Sequence, residues 1–216
     1  MALAHRYVCI YPTGATTTPD TSTASQGDSG VDYSAAYTSM SAMEAAENGD
    51  FTTDDGTVLH VEIIDPDGDS DWSGAHDTTY TTFDGWTTDR GGDGSYVEIK
   101  SYGTARSSNG NYDTDAYVLD VDGRTLNIDN DHNLGTSYLD IEFDGVQFRQ
   151  HTSGIENVYL HYSSSLNDIR FLNCYFKAET SSVNFFNALS DDTNLVIRLK
   201  NCILDGGTHG VKILSL

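Results

Sequence analysis

The chain has few basic residues, few prolines, few cysteines and no long apolar run. Its 216 residues include 11 lysines and arginines against 33 aspartates and glutamates, so the formal net charge at pH 7 is −22. A field of this sign repels polyanions, which excludes a protein that binds nucleic-acid phosphates. No apolar run approaches the ~20 residues that a membrane-spanning helix needs, so we expect no membrane insertion.

Lysine is especially scarce. The chain has only Lys100, Lys177, Lys200 and Lys212. Short carboxylates with few ammonium groups suit a halophilic protein, because the Debye length falls to ~3 Å at 1 M salt and screens the self-repulsion. In low salt the same charges should destabilise the fold. The alternative is an acidic surface that keeps an ordinary protein soluble, so the charge alone leaves a saline environment as one of two interpretations.

The three cysteines, Cys9, Cys174 and Cys202, are widely spaced. They form neither a disulfide framework nor a CxxC metal-binding pair. We expect Cys174 and Cys202 to be small core residues. A disulfide between them is geometrically possible if the two lie on adjacent strands.

Three regions follow one another along the chain. Residues 1–31 are rich in Thr, Ser, Gly and Asp after a short apolar piece, which predicts an N-terminal arm or linker. Residues 32–49 predict a short capping helix with Asp32 or Ser34 at its start and Asn48-Gly49 at its end. Its predicted apolar face consists of Tyr33, Ala36, Tyr37, Met40 and Met43. Residues 50–216 alternate short apolar strands with polar turns.

An internal repeat is the strongest signal in the third region. Steps of 28 residues relate Ile141, Ile169 and Ile197, and also Gly145, Asn173 and Asn201. The segments at Val183 and Val211 have the same step. Toward the N-terminus, a step of 22 relates Val97, Leu119 and Ile141.

Each repeat places two inward apolar residues, then a Gly or Asn at a tight corner, then two more inward residues. Gly and Asn adopt a positive φ at the least cost, and such a unit buries its apolar face only by stacking on its neighbours, ~4.8 Å apart. The predicted fold is therefore all-β: a right-handed parallel β-helix, or solenoid, with a short N-terminal capping helix. The alternative is an antiparallel sandwich with coincidental spacing.

The last residues, from Val211 to Leu216, lie inside a strand of this repeat. We expect further polypeptide or a partner to cover the open end, because an unpaired solenoid edge favours aggregation.

The repeat, with Asn-Cys at its corner, resembles the pectate-lyase-like right-handed parallel β-helix proteins. The segment Gly27-Asp28-Ser29-Gly30, which leads into the predicted helix, is similar to spike and virion structural proteins of tailed viruses in that group. The resemblance covers roughly residues 27–216 and is specific for fold more than for activity. It implies a trimeric structural protein of the virion, such as a tail, spike or capsid-decoration component, that contacts other virion proteins and a cell-surface polysaccharide. Two alternatives stay open: a polysaccharide-degrading, tailspike-like glycosidase or lyase, and a glycan-binding surface adhesin.

No catalytic residue can be assigned from the sequence. Asp168, Asp191 and His209 fall at three different phases of the 28-residue repeat, so we expect them at different angular positions and not on one face. Arg170 and Arg198 are one repeat apart and should form an outward ladder.

Two loop features are candidate binding sites. Asp65, Asp67, Asp69 and Asp71 alternate in one loop, and carboxylates at this spacing suit Ca²⁺; the alternative is a solvated loop in an already acidic protein. An aromatic, Thr-rich loop follows, with candidate glycan or subunit contacts at Trp72, Tyr80, Phe83 and Trp86. Packing on the sheets is the alternative for these rings.

Overall fold

The computed structural model describes residues 3–19, 33–53, 56–66, 72, 76–106, 111–121, 126–129, 139–152, 157–162, 168–180, 184–190, 196–207 and 209–215. The strands in these ranges are β1 (Ala4–Ile10), β2 (Ala35–Tyr37), β3 (Thr57–Ile63), β4 (Thr82–Phe83), β5 (Tyr96–Ser101), β6 (Val118–Val121), β7 (Leu126–Asp129), β8 (Ile141–Asp144), β9 (Gln147–Gln150), β10 (Val158–Tyr162), β11 (Asp168–Leu172), β12 (Tyr175–Ala178), β13 (Asn184–Ser190), β14 (Val196–Lys200), β15 (Ile203–Asp205) and β16 (His209–Ser215). One α-helix, α1, spans Met40–Glu47, and a 3-10 turn spans Gly103–Ala105.

The strands form three sheets, and every pairing among the described residues is parallel. The large sheet has the order β14-β11-β8-β5-β3-β1-β2, the five-stranded sheet β16-β13-β10-β7-β4, and the four-stranded sheet β15-β12-β9-β6. The all-β prediction is confirmed, and an antiparallel sandwich is excluded for these strands.

From β5 onward the chain visits the sheets in one order. Each passage places a strand in the large sheet, the next in the four-stranded sheet and the third in the five-stranded sheet. We call each such passage a repeat; the four repeats are β5–β7, β8–β10, β11–β13 and β14–β16.

The predicted 28-residue step occurs in all three sheets, and in the five-stranded sheet it places Val158 opposite Phe186. In the large sheet, Ile169 lies opposite Ile141 on one side and Ile197 on the other. In the four-stranded sheet, Tyr175 lies between Gln147 and Ile203.

The predicted 22-residue step is wrong. Val97 of β5 pairs directly with Ile141 of β8, whereas Leu119 belongs to the four-stranded sheet, where it pairs with Phe148. Inward residues alternate in the same way in every sheet. The sequence spacing therefore does not distinguish β6, in the four-stranded sheet, from β5 and β8 in the large sheet.

The register at the last repeat also differs from the prediction. Val211 lies opposite Phe186 and Ile213 opposite Ala188, which is a step of 25 residues and not 28. Phe185 and Phe186 are both buried, so the apolar pattern of this segment fits either register.

The corners of the repeat are as predicted. Gly145 has a φ of 72°, and Asn173 and Asn201 have φ values of 53° and 55°. The Asn201 Nδ2 donates to Asn173 Oδ1 at 3.2 Å, and Asn173 Nδ2 donates to Asp144 Oδ1 at 2.7 Å. The Asn side chains therefore bond along the corner from one repeat to the next.

The N-terminal region departs from the prediction of an arm over residues 1–31. Residues 4–10 form β1, which pairs with β2 on one side and β3 on the other, so this segment is an integral strand of the large sheet. Its apolar residues Val8, Cys9 and Ile10 are fully buried, which accounts for its place there. Residues 20–32 lie outside the described residues.

The predicted helix is shorter than expected. Residues 35–37 extend as β2, and the helix begins after Ser39, whose side chain accepts a hydrogen bond from Ala42 N at 3.1 Å. Asn48 is its C-cap, as predicted, and Met40 and Met43 are buried. The helix packs beside β2 and β4, the edge strands of two sheets. No helix in the described part of the chain is long and apolar enough to cross a membrane.

Side chains from all three sheets contribute to one core, and its centre is a stack of phenylalanines. Phe143 and Phe171 of neighbouring repeats stack at a ring distance of 5.1 Å, and Phe148 and Phe176 stack at 4.8 Å. Phe186 meets the edges of Phe171 and Phe176. Parallel, in-register pairing places equivalent rings over one another, so the core is continuous from repeat to repeat.

We expect Phe171→Ala to lower the free energy of unfolding by about 3–5 kcal/mol, because it leaves a cavity between the Phe143 and Phe186 rings. Leu199→Ala is the matched control, since Leu199 occupies the same column in β14 but is 39% exposed. Denaturant unfolding of both variants measures the difference. An equal loss at the two positions would contradict a core that is centred on the Phe stack.

Candidate functional site

A row of charged side chains runs across the outer face of the four-stranded sheet. Asp120 of β6 lies opposite Arg149 of β9, which lies opposite Lys177 of β12, which lies opposite Asp205 of β15. The residues between them along each strand, such as Phe148 beside Arg149, point into the core. One face of each strand therefore builds the core while the other builds a polar row.

His151 connects two carboxylates at one end of this row. It follows β9, and its Nε2 contacts Asp120 Oδ1 while its Nδ1 lies 3.1 Å from Glu179 Oε2. Glu179 follows β12, and its backbone N–H donates to Gln150 O at 2.9 Å, which continues the pairing of β9 with β12. Both imidazole contacts are hydrogen bonds when the ring carries two protons.

Arg149 holds the same two carboxylates. Its Nε and a terminal nitrogen lie 2.9 Å and 2.7 Å from Glu179 Oε1, and its other terminal nitrogen lies 3.3 Å from Asp120 Oδ2. Burial raises the pKa of Glu179, but the hydrogen bonds and charges of Arg149 and His151 outweigh it and hold that pKa below its usual value. The carboxylate of Glu179 is therefore stabilised in its charged form.

A second histidine joins Asp120 from a loop. Asp77 adds to the edge of the four-stranded sheet, because its N–H donates to Val118 O at 3.0 Å and its C=O accepts from Asp120 N at 2.9 Å. This pairing brings His76 Nδ1 to 3.0 Å from Asp120 Oδ2. The His76 Nε2 is buried and has no hydrogen-bond partner among the described residues.

His76 also lines a cleft of about 280 Å³ beside the polar row. The rest of the lining is formed by hydroxyl groups, one carboxylate and one indole: Thr13, Thr38, Ser39, Trp72, Asp77, Thr78 and Thr79. The cleft and the carboxylate cluster therefore share one side chain, and together they form a polar surface that is rich in donors and acceptors.

Two tyrosines flank the row on its other side. The Lys177 ammonium lies 4.3 Å from the centre of the Tyr112 ring, and the Tyr112 and Tyr175 rings are 5.7 Å apart. The Tyr175 hydroxyl donates to Asp205 Oδ2 at 2.9 Å, and burial together with this carboxylate raises the pKa of Tyr175 to about 12. The tyrosine hydroxyls thus stay protonated donors near neutral pH.

The arrangement has groups for binding and for proton transfer. Asp120 and Glu179 stand on either side of His151, and Arg149 pairs with both carboxylates. We refer to Asp120, Arg149, His151, Glu179 and His76 as the carboxylate–histidine cluster.

The sequence did not single out this cluster, although part of its spacing is visible there. Arg149, Lys177 and Asp205 are separated by steps of 28, as are His151 and Glu179. The positions of Asp120 and His76 depend on pairings outside the 28-residue step, and these could not be found from periodicity.

Three of the four predicted aromatic contact residues are in the core. Trp72, Phe83 and Trp86 are at most 1% exposed, so these rings pack in the core. Trp72 Nε1 donates to Ile64 O at 3.0 Å, and Trp86 Nε1 donates to Glu44 Oε1 at 3.1 Å. The rings satisfy their polar atoms internally while burying large apolar areas. Tyr80 is 38% exposed and stays a candidate contact residue.

Of the predicted Ca²⁺ loop, only Asp65 is described, and its Oδ2 accepts a hydrogen bond from Thr104 Oγ1 at 2.7 Å. Asp67, Asp69 and Asp71 lie outside the described residues. Within the ranges that the structure covers, no group of three or more His, Cys, Asp or Glu side chains is arranged to hold a metal ion.

The expectation that Asp168 and His209 lie on different faces is confirmed. Asp168 begins β11 in the large sheet, where it pairs with Arg170 and Arg198, and His209 begins β16 in the five-stranded sheet. Asp191 lies outside the described residues. The Arg170–Arg198 ladder is confirmed by their direct register.

No protein-family model, no curated protein and no solved structure matches this chain.

We expect the contacts of Arg149 and His151 with Glu179 to make a pH-dependent contribution to the free energy of unfolding. Because the pKa of Glu179 is lower in the folded chain than in the unfolded chain, its contribution is present above the unfolded pKa and is lost as the pH falls through the folded pKa. Between about pH 6 and about pH 3, the melting temperature of Glu179→Gln should therefore fall less than that of the wild-type chain.

Glu44→Gln is a control of opposite sign. Burial raises the pKa of Glu44, so protonation of this group favours the folded state as the pH falls. The melting temperature of Glu44→Gln should therefore fall more steeply than that of the wild-type chain as the pH is lowered. If the melting temperatures of Glu179→Gln and the wild-type chain fell in parallel with pH, the stabilisation of the charged Glu179 would be contradicted.

Proposed function

We propose that this chain is a right-handed parallel β-helix that acts as a rigid structural component of a virus particle. The observation that carries the proposal is the fixed visiting order of three parallel sheets, with equivalent residues in register between repeats. A chain that returns to each sheet in this way winds around its core, and parallel crossovers are right-handed in nearly all proteins.

Rigidity is the property that such a component needs. The Phe stack leaves no break in the core between β8 and β14, and each strand between them pairs on both sides. The sequence Gly27-Asp28-Ser29-Gly30 resembles spike and virion proteins of tailed viruses. This resemblance suggests a tail, spike or capsid-decoration part, in a trimer and beside other virion proteins. The net charge of −22 suits a virus of a saline environment.

The carboxylate–histidine cluster and its cleft are the part of the surface suited to contact with a host. They offer charged and hydroxyl groups from several repeats on a rigid support, which favours recognition of a polar cell-surface polysaccharide. Binding without cleavage would serve host contact in a virion, and would equally serve a surface adhesin.

Mass spectrometry of purified particles tests the structural proposal. We expect the chain to be present in washed particles of the virus that encodes it, and light scattering of the purified protein in concentrated salt to give three times the mass of one chain. Recovery of the chain only from particle-free material would overturn a virion role. A monomer in concentrated salt would overturn the trimer.

A polysaccharide-degrading enzyme is the second candidate function, and one observation favours it. Asp120 and Glu179 are two carboxylates held on either side of His151, next to a cleft, and glycoside hydrolysis uses a carboxyl pair as acid and base.

Incubation with a panel of neutral and acidic polysaccharides separates the two candidates. We expect the wild-type chain to bind one of them and to release neither new reducing ends nor unsaturated products. Cleavage that is abolished by Asp120→Asn or Glu179→Gln would establish the enzyme instead. Glu142→Gln is the matched control, because Glu142 pairs with Arg90 and Arg170 on the large sheet, away from the cluster.

A further inference from the structure

We propose that Cys174 and Cys202 form a redox-sensitive pair, in which a low-molecular-weight disulfide oxidises the two thiols to a disulfide that links neighbouring repeats. This site lies at the corner of the repeat, apart from the carboxylate–histidine cluster, and the proposal does not rest on the function proposed above.

The backbone places the two cysteines directly beside one another. Each follows a corner asparagine of positive φ, and each precedes one of the paired residues Tyr175 and Ile203. The Ile203 N–H donates to Cys174 O at 3.0 Å, and the asparagines bond to one another on the other side. Parallel strands lie ~4.8 Å apart, within the ~4.4–6.8 Å between Cα atoms that a disulfide requires.

Both side chains point the same way, toward the core. The Cys174 Sγ lies 3.4 Å from Phe143 O, and the Cys202 Sγ lies 3.2 Å from Phe171 O. Phe143 and Phe171 are the equivalent residues of consecutive strands, β8 and β11. The two sulfurs therefore occupy the same position in consecutive repeats, and both are present as free thiols.

The surroundings of the two thiols assign them different roles. Cys202 is half-buried, and its contact with the Cys174 thiol lowers the pKa of Cys202 below its usual value, which favours the thiolate. Cys174 is 2% exposed, and burial raises its pKa well above the usual value. Cys202 is thus the attacking thiolate that an oxidant can reach, and Cys174 is the resolving thiol behind it.

The reaction is a thiol–disulfide exchange in two steps. The Cys202 thiolate attacks one sulfur of the small disulfide, whose S–S bond breaks, and the released thiolate takes up a proton. Cys174 then loses its proton and attacks Cys202 Sγ, which expels the second small thiolate, and this thiolate takes up a proton in turn. Two protein thiols are oxidised, and one small disulfide is reduced to two thiols.

The bond would fasten the end of the described structure. Leu199, Ile203 and Leu204, in the strands of the last described repeat, are each about two-fifths exposed. A Cys174–Cys202 disulfide closes a loop of one 28-residue repeat and limits the separation of β14 and β15 from their neighbours.

The test is incubation of the folded, full-length chain with oxidised glutathione, followed by intact-mass measurement and peptide mapping. We expect the loss of two hydrogen atoms, a linked peptide that contains Cys174 and Cys202, and a melting temperature that rises by about 5–10 °C and returns on reduction. Cys9 is an internal control, because it is fully buried and burial raises its pKa to about 12, so it should stay reduced.

Two variants separate the steps. Cys174→Ser should accumulate a glutathione adduct on Cys202, whereas Cys202→Ser should react with glutathione much more slowly and form no linked peptide. The proposal is overturned if the wild-type chain gives only an adduct or an intermolecular dimer, if Cys202→Ser still forms an internal disulfide, or if the linked chain melts at an unchanged temperature.

Discussion

Each strand of the central repeats gives its backbone N–H and C=O groups to the equivalent strands of the repeats before and after it. No strand can pair within its own repeat, because its neighbours along the chain belong to other sheets. The stability of each repeat therefore depends on its pairing with the repeats on either side. This pairing also fixes the register to the residue, since a slip by one position would turn Phe143, Phe171 and their partners outward.

The same register produces both the core and the candidate site. Phe148 and Phe176 stack inward while Arg149 and Lys177, the next residues along β9 and β12, stand in line on the outside. The site is therefore supported by the core beneath it. Charged side chains of opposite sign face one another from different repeats. Arg149 beside Asp120 and Glu179 is the clearest example, with two carboxylates from different repeats held by one guanidinium.

Buried carboxylates connect the N-terminal region to this framework. Asp77 accepts hydrogen bonds from Met40 N at 2.7 Å and from the Tyr117 hydroxyl at 3.0 Å, so one side chain joins the start of α1 to the four-stranded sheet. It also fixes the backbone that presents His76 to Asp120. On the large sheet, the Tyr33 hydroxyl donates to the buried Glu62 at 2.5 Å and holds the segment before β2 in place. Because each acceptor is buried, the loss of its partner would leave an unsatisfied charge in the interior.

The 28-residue step, the corners and many inward residues could be predicted from the sequence. Asn adopts the positive φ of a tight corner at low cost, as at Asn173 and Asn201, and Ile141, Ile169 and Ile197 recur because one repeat must match the next. Other features became visible only in the folded chain: Val97 pairs with Ile141 and not with Leu119, β1 is an inner strand, Trp72 and Trp86 are buried, and His76 contacts Asp120. Such pairings join residues far apart in sequence across loops of unequal length, and alternation alone, which is the same in all three sheets, does not specify which strands meet.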